Sequence, residues 1–206
     1  MTETPSQTPP ALETYVRTHI APRYGDLLKT AAEKVAAAQR ELDDLRAATG
    51  TMVWEVTGPT PARCYVNIGD GEMIVEDRPR TEPFMTISQS PADWARFTAG
   101  VAQTGFLSGP ARRPFGRSRI DRLRTVKGTL CFVLTGLPDG GTWTFTLSFG
   151  SGAASTPAQT TITVPADIVP KIQAGQIDPQ MAFMQGQVKI SGDLGLAMQL
   201  GMALFL

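Results

Sequence analysis

The segment DPQMAFMQGQVKISGDLGLAMQLGMALFL, Asp178 to Leu206, limits most sharply what this chain can fold into. From Leu194 onward only Gln199 carries a hydrogen-bonding side chain. A helix with no polar face must be covered on every side. Exposing Leu194, Leu196, Met198, Leu200, Met202, Leu204, Phe205 and Leu206 would forgo on the order of 10–15 kcal/mol, at ~2 kcal/mol per large side chain. That is comparable with the whole net stability of a domain. The run has 13 residues, short of the roughly 20 that a membrane span needs. What covers this helix is the question on which function turns.

The chain ahead of it alternates helical and extended patterns. Residues 1–10, polar and proline-rich, read as a disordered tail with no secretory signal. Helices are expected over 11–48. Ala11 to Ile20 is a short one interrupted at Pro22, and a longer one runs from about Asp26 to Ala48, closed by Gly50. Tyr24, Leu28, Ala31, Val35, Ala38, Leu42 and Leu45 recur at alternating spacings of four and three, a heptad stripe. Such a stripe suits packing on the chain's own sheet or against a helix across a dimer.

Strands follow at Thr51–Val56, Arg63–Ile68, Met73–Val75 and Phe84–Ser88, with a hairpin turn at Gly69-Asp70-Gly71. Ser90-Pro91-Ala92-Asp93 opens a helix that carries Trp94 and Phe97. The second half then repeats the first. GTMVWEVTG (Gly50–Gly58) matches GTLCFVLTG (Gly128–Gly136), offset by 78 residues. TISQSPADWARFTAG (Thr86–Gly100) matches TITVPADIVPKIQAG (Thr161–Gly175), offset by 75. Two ordered matches at nearly one offset indicate an internal duplication, with units at 50–127 and 128–206. In the second unit Trp143, Phe145, Leu147 and Phe149 alternate with Thr144, Thr146 and Ser148, the pattern of a half-buried strand with a bulky apolar face. Gln159–Val164 is a further strand, and Asp167–Ala174 a helix. Asp178-Pro179 and Asp193 mark two more helix starts.

Several function classes fall away. Charges balance, 19 basic against 19 acidic, which argues against a nucleic-acid partner held by bulk charge. Gly150-Ser151-Gly152 lacks the third glycine and the following helix of a nucleotide loop. His19 is the only histidine, in an amphipathic stretch near the chain start. Ser–His, Cys–His and multi-histidine metal sites would all have to be built on that one residue, which reads instead as a surface helix residue. No catalytic residue, metal ligand or cofactor site is expected. Cys64 and Cys131 form no CxxC pair or disulfide framework, so a reducing, cytoplasmic compartment is expected. The stretch Ala111–Gly128 concentrates seven basic residues against one acid. It reads as a solvated connector or helix face, or as a docking patch for anionic lipid headgroups through Arg112, Arg113, Arg117, Arg119, Arg122 and Arg124.

The order GTLCFVL, TWTFTLSF, a TIT strand, AGQIDPQMAFMQGQVKISGD and LGLAMQL resembles the sterol carrier protein 2 family, most specifically over Asp178–Leu200. The resemblance covers Gly128–Leu206 well and Gly50–Gly100 only through the repeat. The first unit lacks the DPQ-aFm-G signature and looks like a degenerate copy. The resemblance implies an α+β fold, a twisted, mostly antiparallel sheet with helices on one face. It also implies non-enzymatic binding or transfer of a sterol, fatty acyl chain or fatty acyl-CoA in an apolar tunnel under the last helix. By position the lining would be Phe183, Met184, Leu196, Met198, Leu200 and Met202. Phe132, Phe145, Leu147 and Met181 join them from the facing strands and turn. The same apolar helix could instead serve as the interface of a dimeric scaffold. Methionine, flexible and polarisable, suits either kind of variable apolar partner.

Overall fold

The computed structural model describes residues 12–100, 115–150 and 157–205, except the side chains of 173, 204 and 205. The expected tail, Arg112 and Arg113 lie outside the described residues. The chain divides into two compact units, Met1–Asp43 and Asp44–Leu206.

The first unit is helical. α1 (Leu12–Tyr15) leads through a π-turn at Val16–Ile20 into α2 (Ala21–Arg46), whose last turn reaches the second unit. The helix does not break at Pro22 as expected. The wider π-turn, in which the Ala21 N–H reaches the Val16 carbonyl, absorbs the proline near the start of α2. Every described residue through Asp43 is exposed.

The second unit is α+β. Its strands are β1 (Gly50–Val56), β2 (Ala62–Gly69), β3 (Glu72–Glu76), β4 (Pro83–Gln89), β5 (Gly128–Thr135), β6 (Trp143–Phe149), β7 (Thr160–Pro165) and β8 (Lys189–Gly192). They form one sheet in the order β3-β2-β1-β4-β6-β5-β7-β8. Only β1–β4 and β5–β7 pair in parallel. The two halves thus share a continuous sheet, joined where β4 pairs with β6. Asp70 and Gly71 turn β2 into β3 with φ of 54° and 76°, the left-handed pair that a tight hairpin requires. Gly50 does not close α2. It begins β1, where an added Cβ would lie 3.0 Å from the Phe84 ring and 3.2 Å from Ile120, so only glycine fits without displacing them.

Alternation assigns the faces. Met52 and Trp54 of β1, Met85 and Ile87 of β4, Leu147 and Phe149 of β6 and Leu130, Phe132 and Leu134 of β5 share the inner face. Thr51, Glu55, Ser88, Thr146, Cys131 and Thr161 share the outer one. The helices are α3 (Pro91–Thr98), α4 (Arg117–Thr125), α5 (Val169–Gln173), α6 (Pro179–Met184) and α7 (Leu194–Phe205). α3 packs on β6, α4 on β4 and α7, and α7 on β5, β7 and β8. Inner-face side chains, with Ile120 and Leu123 of α4 and Leu196, Leu200 and Ala203 of α7, make one continuous core.

Candidate functional site

The terminal helix is fastened at its start. The Asp193 carboxylate accepts from the Leu196 N–H at 3.1 Å, as a capping residue does. The Thr160 hydroxyl donates to the Asp193 carbonyl at 2.6 Å, and the Asp193 N–H donates to the Gln159 carbonyl. Gln159 also accepts from the Thr129 N–H through its side chain. These bonds fix α7 across β7 and β5. The fit is close: a Cβ on Gly128 would lie 3.0 Å from Leu196 Cδ2.

α6 is placed by the same logic. Asp178 accepts from the Gln180 and Met181 N–H groups, and Pro179 occupies the first turn. The Ala182 carbonyl then takes both the Gln187 and Val188 N–H groups, and the Ala182 side chain is fully buried. That geometry turns Met181, Phe183 and Met184 outward, where each is exposed.

The ten apolar residues singled out from sequence therefore separate into two sets. Phe132, Phe145, Leu147, Leu196 and Leu200 are buried in the common core. Phe132 and Phe145 stack with centroids 5.0 Å apart, and Trp143 lies 4.8 Å from Phe145. Met181, Phe183, Met184, Met198 and Met202 are exposed. Along α7 the division follows the helical period. Leu196, Leu200 and Ala203 point in, while Leu194, Met198 and Met202, four residues apart, form an exposed stripe. The described residues do not cover this helix on every side, contrary to the expectation from its composition. One side lies open, because a single-layer sheet gives a helix only one apolar surface.

The basic residues are rearranged in the same way. α4 is a helix whose buried side includes Arg119 together with Ile120 and Leu123. Arg119 is 5% exposed and so is withdrawn from any surface patch. Arg117, Arg122 and Arg124 remain outside, with Arg117 and Arg124 both paired to Asp121.

Sequence reasoning missed two features. An aromatic cluster links the halves on the inner face: Phe97 stacks on Trp143 at 5.9 Å, and Trp54 lies 5.6 Å from Phe97 and 6.0 Å from Trp94. The Trp54 indole N–H donates to Gln89 Oε1, whose Nε2 is buried without a partner. The strict alternation of β6 was the available signal for Trp143, but no pattern places α3 over it. On the outer face Glu55, Ser88, Thr146, Cys131 and Thr161 line a cleft of about 470 Å³. There Glu55 accepts from Ser88 at 2.6 Å and is paired with Arg63. Burial pushes the Cys131 thiol up, so it stays protonated at neutral pH. This is the chemistry of a solvated sheet face. Among the described residues no cluster of His, Cys, Asp and Glu could hold a metal. No described helix is long and apolar enough to cross a membrane.

One sheet whose largely apolar face is closed by an apolar helix defines an α+β domain. Residues 116–205 match the SCP-2 sterol transfer family. The chain is 34% identical over 116 residues to hydroxysteroid dehydrogenase-like protein 2 of Xenopus tropicalis, across 52% of this chain and 28% of the relative. It is 32% identical over 84 residues to sterol carrier protein 2 of Gallus gallus, across 38% and 15%. It is also 42% identical over 64 residues to peroxisomal multifunctional enzyme A of Dictyostelium discoideum, across 29% and 14%. The chain spans less than a third of the length of these relatives, and two of the three carry names of enzymes. A solution structure of sterol carrier protein domain 2 of Helicoverpa armigera aligns over 53% of this chain and 85% of its own, at 24% identity and a TM-score of 0.35.

Proposed function

We propose that this chain binds and transfers an apolar lipid, a sterol, fatty acyl chain or fatty acyl-CoA, without catalysing a reaction on it. The ligand lies along the open side of α7, on the stripe of Leu194, Met198 and Met202, and enters past α6. The observation that carries this is the two-sided apolarity of α7. Leu196 and Leu200 hold it on the sheet, while Leu194, Met198 and Met202 stand open beside the exposed Met181, Phe183 and Met184 of α6. The pliable methionines suit a chain-like ligand of variable length. The match of residues 116–205 to the SCP-2 sterol transfer family supports the same reading.

Exposed Arg117, Arg122 and Arg124 of α4, which packs against α7, suit a transient contact with an anionic membrane surface while lipid is loaded. The free thiols of Cys64 and Cys131 suit a reducing, cytoplasmic setting. The first half we read as a degenerate copy that completes the sheet and leaves binding to the second.

The test is native mass spectrometry and lipid extraction of the purified chain, followed by titration with fluorescent fatty-acyl and sterol probes. Co-purifying lipid, and probe binding weakened by Met198→Asp or Phe183→Ala, is expected. A ligand-free protein that binds neither probe overturns the reading.

A further inference from the structure

The heptad stripe of α2 plays no part in the lipid site. Tyr24, Leu28, Val35 and Leu42 are 67%, 56%, 70% and 39% exposed. Ala31 and Ala38 between them are exposed as well. At 1.5 Å per residue the 26-residue α2 is about 39 Å long. An isolated helix with such a stripe is marginal in water and draws its stability from a partner.

The sequence of the stripe says what that partner is. Large and small residues alternate along its centre, Leu28, Ala31, Val35, Ala38 and Leu42, and the half-buried Leu45 closes it. Laid antiparallel on itself, the stripe sets Val35 against Ala38 of the second copy, Leu42 against Ala31, and Leu28 against Leu45. Each large side chain at the centre meets a small one, so the layers fill evenly. The flanking positions agree. In this register Lys34 faces Glu41 of the second copy, and two-fold symmetry makes the pair twice. A parallel pairing sets Ala31 on Ala31 and Ala38 on Ala38 between larger layers, which leaves voids, and faces Lys34 with Gln39. A membrane surface fits less well. The polar side mixes Lys29, Lys34 and Arg40 with Glu33, Glu41 and Asp43, whereas an interfacial helix wants a basic face beneath a bulky apolar one.

We propose that α2 pairs with α2 of a second copy of this chain as an antiparallel two-helix coil centred between Val35 and Ala38. The proposal does not rest on lipid binding.

Sedimentation equilibrium of the full chain across the micromolar range is expected to show a monomer–dimer equilibrium. Val35→Asp should make it monomeric while leaving the thermal transition of the sheet unit unchanged, because Val35 touches no core. Lys34→Glu and Glu41→Lys should each weaken the dimer several-fold, and the two together should restore it. Spin labels settle the direction. With Cys64 and Cys131 replaced by serine, a label at Ala36→Cys should report a short interchain distance, and one at Lys29→Cys a longer one, because its offset along the helix axis is greater by roughly 20 Å, at 1.5 Å per residue. A monomer throughout, a dimer indifferent to Val35→Asp, or equal distances at the two labels overturns the proposal.

Discussion

Trp54 and Phe132 hold the same place in the two halves of the sheet. Trp54 of β1 faces Ile87 across the parallel β1–β4 pair, and Phe132 of β5 faces Ile162 across the parallel β5–β7 pair. Their neighbours keep step: Val53 faces Thr86, and Cys131 faces Thr161. These are the positions that the two sequence offsets equate. The strand order carries the correspondence outward. The first half runs β3-β2-β1-β4 and continues into β6, while the second runs β6-β5-β7-β8 and is preceded by β4. β4 thus stands beside β6 as β3 stands beside β2, and β6 stands beside β4 as β8 stands beside β7, all antiparallel. Each half thus lies against a strand of the other, β4 against β6.

A fragment beginning at Gly116, which keeps the family segment but loses β1 to β4, is therefore expected to fold poorly. It would bare the β6 edge that Met85 to Ser88 now pair and strip Phe97 from Trp143. Size-exclusion chromatography and circular dichroism should show aggregation or a lowered, broadened transition. A monodisperse fragment melting with the full chain would refute the shared-sheet account.

Asp44 supplies the cap that α4 lacks. The N-cap of α4 is Gly116, which has no side chain to offer, and the Asp44 carboxylate accepts from the Ser118 N–H at 2.9 Å and hydroxyl at 2.5 Å instead. The Ser118 hydroxyl bond, aided by its N–H and by Arg122 and Arg117, holds the Asp44 carboxyl below its ordinary 3.8. A depressed carboxylate stabilises the fold above its unfolded-state value, and that contribution is lost as pH falls through the folded-state value. Asp44→Ala is expected to cost about 1 kcal/mol at neutral pH, the usual worth of a cap. The gap between variant and parent should narrow as pH falls below about 4. Thermal melts at pH 7 and pH 3 measure it; a gap as wide at pH 3 as at pH 7 would contradict the assignment.

Much of this was legible from spacing. Alternation in β6, the Asp70-Gly71 turn and the caps at Ser90, Asp178 and Asp193 are local signals, set by residues a few positions apart. Which face Arg119 takes was not legible, because a row of arginines on α4 does not reveal that the side shared with Ile120 and Leu123 is the packed one. The open side of α7 was hidden for a similar reason. Composition states that a helix is apolar all round, but only the layer count states how many of its sides the chain can cover. Pro22 misled in the opposite direction, since a π-turn can take up a proline that an α-turn would reject.

Gly192 sits at φ 91°, between β8 and the Asp193 cap, with the Gln159 carbonyl and Thr160 directly against its missing Cβ. Alanine there meets both a disfavoured backbone region and a backbone collision that flexible side chains cannot relieve. Gly192→Ala is expected to lose about 1–3 kcal/mol or more and to loosen the start of α7. Hydrogen exchange at Leu196 and Ala197 reads the second effect, and unchanged protection would count against the fastening role given to Gln159 and Asp193.

The two sides of α7 should respond differently to truncation. Leu200 is 2% exposed in the core, so Leu200→Ala removes packed methylenes and leaves a cavity, at a cost of about 2–5 kcal/mol. Met198, 62% exposed on the opposite side, packs against little. Met198→Ala should alter stability by no more than about 0.5 kcal/mol, as surface changes do. If the open stripe serves a lipid, Met198→Ala should nevertheless weaken fatty-acyl probe binding several-fold, because the contact it removes forms only in the loaded state. Urea denaturation and probe titration on the same two variants separate the roles. A Met198→Ala protein with unchanged stability and unchanged probe affinity would remove the outer stripe from the site and leave the inner residues of α7 to carry it.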